Sequence, residues 1–168
     1  MPPITACPLP DHALLSKYTL SGAYTDCYST QISRPVSQQE YVEAFYTGAA
    51  FKLERLLLAL FLSKPSTDEQ VRQLSRGELT DFAAWRVEDR STDQLLLCDI
   101  GGRTRSWLMV EPTGSGSTCL YFGSAVVPSI DRASGKARMG FVFKALLGFH
   151  RIYSRVLLHE ARARLSSA

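Results

Sequence analysis

A chain of 168 residues in which 45% of the side chains are hydrophobic and 21% are charged has the composition of a globular, soluble protein and the length of one domain. Its net charge of +3, from 19 basic and 16 acidic residues, does not indicate a nucleic-acid partner, because such a partner requires basic side chains clustered on one face. The longest apolar run, residues 56–62, is far too short to span a membrane.

The amino-terminal sequence MPPITACPLPDHALL has early prolines and lacks a basic region followed by a long apolar run. It therefore predicts no secretion signal, and we expect a cytoplasmic location. The four cysteines are widely spaced and form no C-x-x-C pair, which predicts reduced and mostly buried thiols. His12, His150 and His159 do not supply a cluster of metal ligands, so we expect neither a metal ion nor a cofactor.

The first half of the chain predicts one strand followed by helices. Residues 1–21 contain prolines and predict an irregular segment, whereas residues 23–33 are rich in Tyr, Thr and Ile and favour a strand. Ser37 and Glu40 match the S-x-x-E capping box that opens a helix. Helices are predicted over residues 37–46, 49–62 and 66–76.

The second half begins with strands, which are predicted over residues 81–90, 93–100, 103–112 and 118–128. Gly101 and Gly102 join the two middle strands, and such a pair is typical of a tight hairpin turn because glycine readily adopts positive φ. A two-residue turn at this position places Leu96 opposite Trp107.

Side chains of this hairpin alternate between the two faces of the sheet. One face carries Leu95, Leu97, Asp99, Thr104, Ser106, Leu108 and Val110. The other face carries Leu96, Cys98, Ile100, Arg103, Arg105, Trp107 and Met109. Arginine is costly to bury without a partner, so we predict that the first face lines the core. A one-residue slip in register would exchange the two faces, and the sequence leaves that alternative open.

A long amphipathic helix is predicted from Ala137 to about Leu165. Side chains recur on one face of this helix at three- and four-residue spacing: Phe143, Leu146, Leu147, His150, Tyr153, Val156 and Leu157. The arginines near the C-terminus fall largely off that face and are expected in solvent: Arg151, Arg155, Arg162 and Arg164.

An antiparallel sheet with one apolar face must be covered, and the final helix has the length and the apolar stripe to cover it. The sequence therefore predicts an α+β fold over residues 1–168 as a single domain. In this fold a curved antiparallel sheet packs on a long C-terminal helix, and two short helices follow the first strand.

This order of elements resembles the helix-grip arrangement of the START-like superfamily, also called SRPBCC. Five stretches also resemble an uncharacterised bacterial branch, a domain-of-unknown-function family sometimes attached to short-chain dehydrogenase-like proteins: LPDHALLSKYTLSGAYTDCYS, AFKLERLLLALFL, RSWLMVEP, LYFGSAVV and GFHRIYSRVLL. The resemblance covers nearly the whole chain. It implies a cavity between sheet and helix, no established reaction, and six or seven strands where the sequence predicts five.

Candidate ligand-binding residues follow from this arrangement: His150, Tyr153, Phe143, Leu147, Trp85, Ser106 and Phe122. Pockets for small molecules are mostly apolar and contain a few polar groups that orient the ligand, and His150 with Tyr153 fits that role. The alternative interpretation of His150 is structural, as a histidine that hydrogen-bonds a backbone carbonyl or a tyrosine at the edge of the core.

Three functions are consistent with the sequence. The first is a START-like module that binds a small hydrophobic or amphipathic molecule. The second is a cyclase- or dehydratase-like enzyme in which His150 and Tyr153 act as acid–base groups in the same cavity. The third is an interaction domain with a filled core. The sequence decides neither whether the chain is an enzyme nor whether it forms a homodimer.

Overall fold

The computed structural model describes residues 3–52, 66–114, 116–127, 129–130, 137–138 and 141–167. Within those ranges, side chains are described up to residue 127 and again from residue 151. The predicted helix over residues 49–62 is seen at residues 49–52, and its remainder lies outside the described residues.

Seven antiparallel strands form one sheet in the order β1-β2-β7-β6-β5-β4-β3. In chain order they are β1 (Thr5–Ala6), β2 (Tyr24–Ile32), β3 (Asp81–Phe82), β4 (Trp85–Arg90), β5 (Gln94–Asp99), β6 (Thr104–Thr113) and β7 (Ser117–Val126). Two short strands, β8 (Ser129–Ile130) and β9 (Ala137–Arg138), pair as a separate ribbon.

The helices with described bounds are α1 (Ser16–Leu20), α2 (Gln38–Tyr46), α3 (Asp68–Arg76) and α4 (Phe141–Ser167). The predicted capping box is present: Ser37 Oγ accepts a hydrogen bond from the Glu40 backbone, and the Glu40 carboxylate accepts one from the Ser37 backbone. Helix α4 packs on α2 and on the sheet, so the predicted α+β helix-grip arrangement is confirmed.

Three features differ from the sequence prediction. Helix α4 begins at Phe141 rather than at Ala137, because residues 137–138 are paired in β9. The sheet contains β1, which the sequence does not predict, because two residues are too few for a period-2 pattern to be recognised. The predicted strand over residues 81–90 is divided into β3 and β4, and Ala83 between them has a positive φ of 52°. The short strands β1 and β3 occupy the two edges of the sheet.

The β5–β6 hairpin has the predicted register, with Leu96 opposite Trp107. The predicted face assignment is also correct, because four side chains of the first set belong to the main core between the sheet and α2 and α4: Leu95, Leu97, Leu108 and Val110. The second set is not simply solvated, since Leu96, Trp107 and Met109 are fully buried on the opposite face of the sheet.

The hairpin turn differs from the tight glycine turn that the sequence predicts. Only Gly102 has positive φ, at 70°, and the Asp99 side chain organises the loop. Its carboxylate accepts hydrogen bonds from the backbone N–H groups of Gly101, Arg103 and Thr104 at 3.0, 2.7 and 2.6 Å. Hydrogen bonds to the Asp99 carboxylate therefore stabilise the turn, and a second glycine with positive φ is not needed.

The N-terminal segment covers the second face of the sheet. Ala13 and Leu15 pack with Leu96, Trp107 and Met109 in what we call the second core. The close approach of Leu15 requires a glycine in β7, because a Cβ atom at position 123 would lie 3.0 Å from Leu15 Cδ2 and 2.8 Å from Trp107 Cε3. Residues 3–21 are therefore a structural layer rather than a loose extension.

Polar contacts fasten this segment to the sheet. The buried Gln94 side chain accepts hydrogen bonds from the Leu14 backbone and from Trp107 Nε1, at 2.8 and 2.9 Å, and donates to the His12 carbonyl at 3.1 Å. One side-chain amide thus satisfies three groups that the second core would otherwise leave without partners.

Arg105 is accommodated on the same face by paired polar groups. Its Nε lies 2.7 Å from both Tyr18 Oη and Glu88 Oε2, and Lys17 Nζ lies 2.8 Å from Glu88 Oε1. We call these four residues the α1 clamp, because they tie α1 to β4 and β6. Burying an arginine is costly when its guanidinium lacks partners. Because Arg105 has these partners, it can lie on a covered face of the sheet, which was not expected from the sequence.

The inward face of α4 is rotated relative to the predicted stripe. Leu157 is buried as predicted, but Val156 is 42% exposed. Arg162, predicted to be in solvent, is only 6% exposed. Its guanidinium donates to Thr30 Oγ1 at 3.0 Å and lies 3.2 Å from His159 Nδ1, so the buried charge has polar partners on β2 and on its own helix.

Candidate functional site

A cavity of about 190 Å³ lies between the sheet, α2 and α4. We call it the sheet cavity. Its apolar wall is formed by Phe45, Phe51, Trp85, Phe122, Val126 and Leu157. Its polar wall includes Thr104, Ser106, Ser124 and Tyr153. A mostly apolar space with a few converging polar groups is the usual composition of a small-molecule pocket.

The aromatic wall is fixed by ring-to-ring packing. The Phe45 and Phe122 rings have centroids 4.9 Å apart, and the Phe45 and Phe51 centroids are 6.5 Å apart. Phe45 lies on the inward face of α2, and Phe122 points toward it from β7. Because these rings are held by the main core, the cavity wall is preformed.

A row of polar side chains crosses the otherwise apolar face of the sheet. Asp26, Ser124 and Ser106 lie directly opposite one another on β2, β7 and β6. Ser124 Oγ donates to Asp26 Oδ1 at 2.6 Å, and Ser106 Oγ lies 3.1 Å from Tyr46 Oη. The two serines therefore present oriented hydroxyl groups to the cavity, and Asp26 and Tyr46 set their orientation.

Trp85 carries a hydrogen-bond donor and lies on β4, near the edge of the sheet farther from β2. Its Nε1 is buried, and no acceptor among the described residues lies within hydrogen-bonding distance. The rest of the side chain packs against the main core and lines the cavity. A buried donor without an acceptor is costly, so a ligand acceptor within reach of Nε1 would remove that cost.

The structure brings together four of the predicted ligand-binding residues, since Trp85, Ser106, Phe122 and Tyr153 all line the sheet cavity. The other three predicted residues are on α4, but their side chains lie outside the described residues: Phe143, Leu147 and His150. Their role stays a prediction.

Sequence reasoning missed Phe45, Phe51 and Leu157 as cavity residues. Phe45 has a recognisable signal, because it follows Tyr41 and Val42 at helical spacing on the buried side of α2. The pairing of Ser106 with Tyr46 has no such signal, because it depends on how α2 crosses the sheet.

Two arginines lie at the outer side of α4. Both Arg151 and Arg155 are exposed. A hydrogen bond with Tyr24 raises the pKa of Arg151, and the Arg155 guanidinium lies 5.6 Å from the centroid of the Tyr28 ring. These contacts connect the helix to β2 and add no charge to the sheet cavity.

The described part of the chain contains no helix long and apolar enough to cross a membrane. Across those same residues, no three His, Cys, Asp or Glu side chains are grouped so that they could hold a metal ion.

Comparisons with known proteins give little further information. The chain matches no protein-family profile and no curated protein. A solved structure that it does match is the crystal structure of CalU16 from Micromonospora echinospora, with 10% sequence identity and a TM-score of 0.31 over 97% of this chain and 94% of that chain. Similarity at this level carries no argument about fold or ligand.

Proposed function

We propose that this protein is a cytoplasmic START-like module that binds a small hydrophobic or amphipathic molecule in the sheet cavity. The sheet cavity is the observation that carries the proposal, because a domain that served only as a packed interaction surface would need no such space.

The size of the cavity limits the ligand. A cavity of about 150 Å³ lined by apolar side chains accepts benzene, so 190 Å³ suits one ring with a short substituent. The ring would pack against the wall formed by Phe45 and Phe122, and a polar substituent would reach either the serine hydroxyls or Trp85 Nε1. A long-chain lipid does not fit within this volume.

Trp85 gives the proposal a specific test. Acetophenone and α-methylstyrene have nearly the same shape, but only acetophenone carries a hydrogen-bond acceptor. We expect the purified protein to bind acetophenone several-fold more tightly, because a net hydrogen bond contributes about 1 kcal/mol, which corresponds to roughly five-fold in Kd. Titration followed by ligand-observed NMR measures both constants.

Two variants control this experiment. Trp85→Phe keeps an aromatic ring and removes the donor, so the preference for acetophenone should disappear while α-methylstyrene binding persists. Val126→Phe fills the cavity and should abolish binding of both compounds without unfolding the protein. If neither compound binds the unmodified protein, and native mass spectrometry detects no co-purified molecule, the proposed function is wrong.

The prediction for His150 is tested in parallel. His150→Phe keeps the bulk and removes hydrogen bonding. If His150 contacts the ligand, the variant stays as stable as the unmodified protein and loses ligand affinity. If His150 has a structural role, the free energy of unfolding falls by about 1–3 kcal/mol, while the folded fraction still binds the ligand.

A further inference from the structure

Cys7 and Cys27 lie next to each other although they are far apart in sequence. Their Sγ atoms are 3.4 Å apart, and the Cys7 N–H donates to the Cys27 carbonyl at 3.0 Å. The pairing of Ala6 with Tyr28 in the β1–β2 ladder continues by one residue to place the two cysteines opposite each other. Opposite positions in an antiparallel pair have Cα atoms roughly 4.5–5.5 Å apart, which is within the range that a disulfide spans.

The two thiols differ in accessibility and acidity. Cys27 is buried in the second core, whereas Cys7 is only partly buried. A hydrogen bond from Cys27 outweighs burial and lowers the pKa of Cys7 to about 6. The same hydrogen bond, together with burial, raises the pKa of Cys27. Either thiol can donate when both are protonated, but the thiolate is better placed on the more accessible sulfur, and thiolate is the nucleophilic form.

We propose that Cys7 and Cys27 form a redox-active dithiol that low-molecular-weight disulfides, such as oxidised glutathione, convert to an intramolecular disulfide. The Cys7 thiolate attacks one sulfur of the reagent, forms a mixed disulfide and releases one thiolate. That thiolate takes the proton of Cys27, whose sulfur then attacks Cys7 Sγ and expels the second thiolate. Two protein thiols are oxidised, and one reagent disulfide is reduced to two thiols.

The other cysteines lack this arrangement. Cys98 is directed at the carbonyl of Asp99, with Sγ 3.2 Å from that oxygen, and burial raises its pKa. Cys119 is buried, and burial raises its pKa too. Cys98 is therefore a matched control, because it is as partly exposed as Cys7 but has no second thiol as its hydrogen-bond partner in the described structure.

The test incubates the full chain with oxidised glutathione at neutral pH, then alkylates it with iodoacetamide under denaturing conditions and measures the intact mass. We expect two fewer alkyl groups than in the reduced protein, and a peptide map that joins Cys7 to Cys27. Cys98→Ser should leave this result unchanged. The rate should fall several-fold when the pH is lowered below about 6, as the Cys7 thiolate is protonated.

Single substitutions test the order of the two steps. Cys27→Ser should stop at a stable mixed disulfide with one glutathione on Cys7, and Cys27→Ala should behave in the same way if serine disturbs the core. Cys7→Ser should abolish both the adduct and the disulfide. A Cys7 that stays unmodified under conditions in which Cys98 acquires glutathione would overturn the proposal, and so would a disulfide between any other pair. The result is independent of whether the sheet cavity binds a ligand.

Discussion

Arg162 is a charged side chain that is buried in the folded protein. It is 6% exposed, and Thr30 and His159 supply polar contacts to its guanidinium. Breaking such contacts leaves buried polar groups without partners, which costs more than the hydrogen bonds themselves contribute.

Arg162→Ala should lower the free energy of unfolding by about 1.5–3 kcal/mol. Arg164→Ala, two residues further along the same helix at an exposed position, should change it by no more than about 0.5 kcal/mol. Urea denaturation of both variants measures the difference. Equal midpoints would show that Arg162 is solvated in solution.

Gly102 occupies a backbone conformation that a β-branched residue resists. With φ at 70°, Gly102→Val should cost about 1–2 kcal/mol, and thermal melting would detect it. Gly114, which has ordinary φ and open space where a Cβ atom would lie, is the matched control, and Gly114→Val should be near neutral. A similar loss in both variants would mean that side-chain bulk, rather than φ, is responsible.

Single residues of the site were predictable only in part. Trp85, Ser106 and Phe122 follow from strand alternation, because period 2 fixes the face on which a side chain lies. Arg162 was predicted wrongly, because its burial depends on Thr30 of β2, a residue 132 positions away. Helical spacing alone does not report such a partner.

The β4 strand is connected to α1 by the α1 clamp. Burial opposes ionisation of Glu88, but hydrogen bonds from Lys17 and Tyr18 and the charge of Arg105 outweigh it and lower the pKa of Glu88. Burial and the hydrogen bond to Glu88 raise the pKa of Tyr18 to about 12. The clamp is therefore intact at neutral pH with Glu88 ionised.

A pH dependence of stability follows from the lowered pKa of Glu88. Because the folded-state value lies below the unfolded value of 4.5, the stabilisation is fully present above that value and is lost as the pH falls through the folded pKa. Glu88→Gln should therefore destabilise the protein by about 1–3 kcal/mol at pH 7, and the difference should shrink below about pH 4. Denaturant midpoints at several pH values test this.

Glu69 is the control for Glu88, because its carboxylate pairs with Arg72 at the solvent-exposed surface. Glu69→Gln should leave the midpoint almost unchanged across the same pH range. If Glu69→Gln reproduced the effect of Glu88→Gln, a general change in net charge rather than the clamp would be the cause.

Elements with a long pattern were predictable, and short ones were not. The S-x-x-E box and the alternating hairpin gave α2, β5 and β6 with their register, because both signals are local. Strand β1 was not predicted, and the predicted strand over residues 81–90 did not reveal its division into β3 and β4, since two residues have no pattern of their own.

The whole molecule has two cores, one on each face of the sheet. The long apolar stripe of α4 makes the main core predictable. The second core is formed by residues 7–18, whose prolines and short turns have no helical or strand period. Only the tertiary structure reveals that this segment covers the second face of the sheet, as α4 covers the first.

Two leucines in the N-terminal segment test the second core. Leu15 is completely buried, whereas Leu20 is 89% exposed. Leu15→Ala should lower the free energy of unfolding by about 2–5 kcal/mol, and Leu20→Ala should change it by no more than about 0.5 kcal/mol. Similar urea midpoints for the two variants would mean that the N-terminal segment does not pack on the sheet in solution.

The two-residue strands at the margins of the sheet affect how copies of this protein associate at high concentration. A long, flat edge strand offers unpaired N–H and C=O groups on which a strand of another molecule can add, and this is a route to aggregation. Here the outermost strands are β1 and β3, with two residues each, and Asp81 places a charge on β3. Strands β5, β6 and β7 are paired on both sides by neighbours in the same chain. Only two residues of β2 pair with β1, and only two residues of β4 pair with β3. A strand of a second copy would therefore meet very short strands at the margins, and any sheet extension would have to use the remaining backbone of β2 or β4.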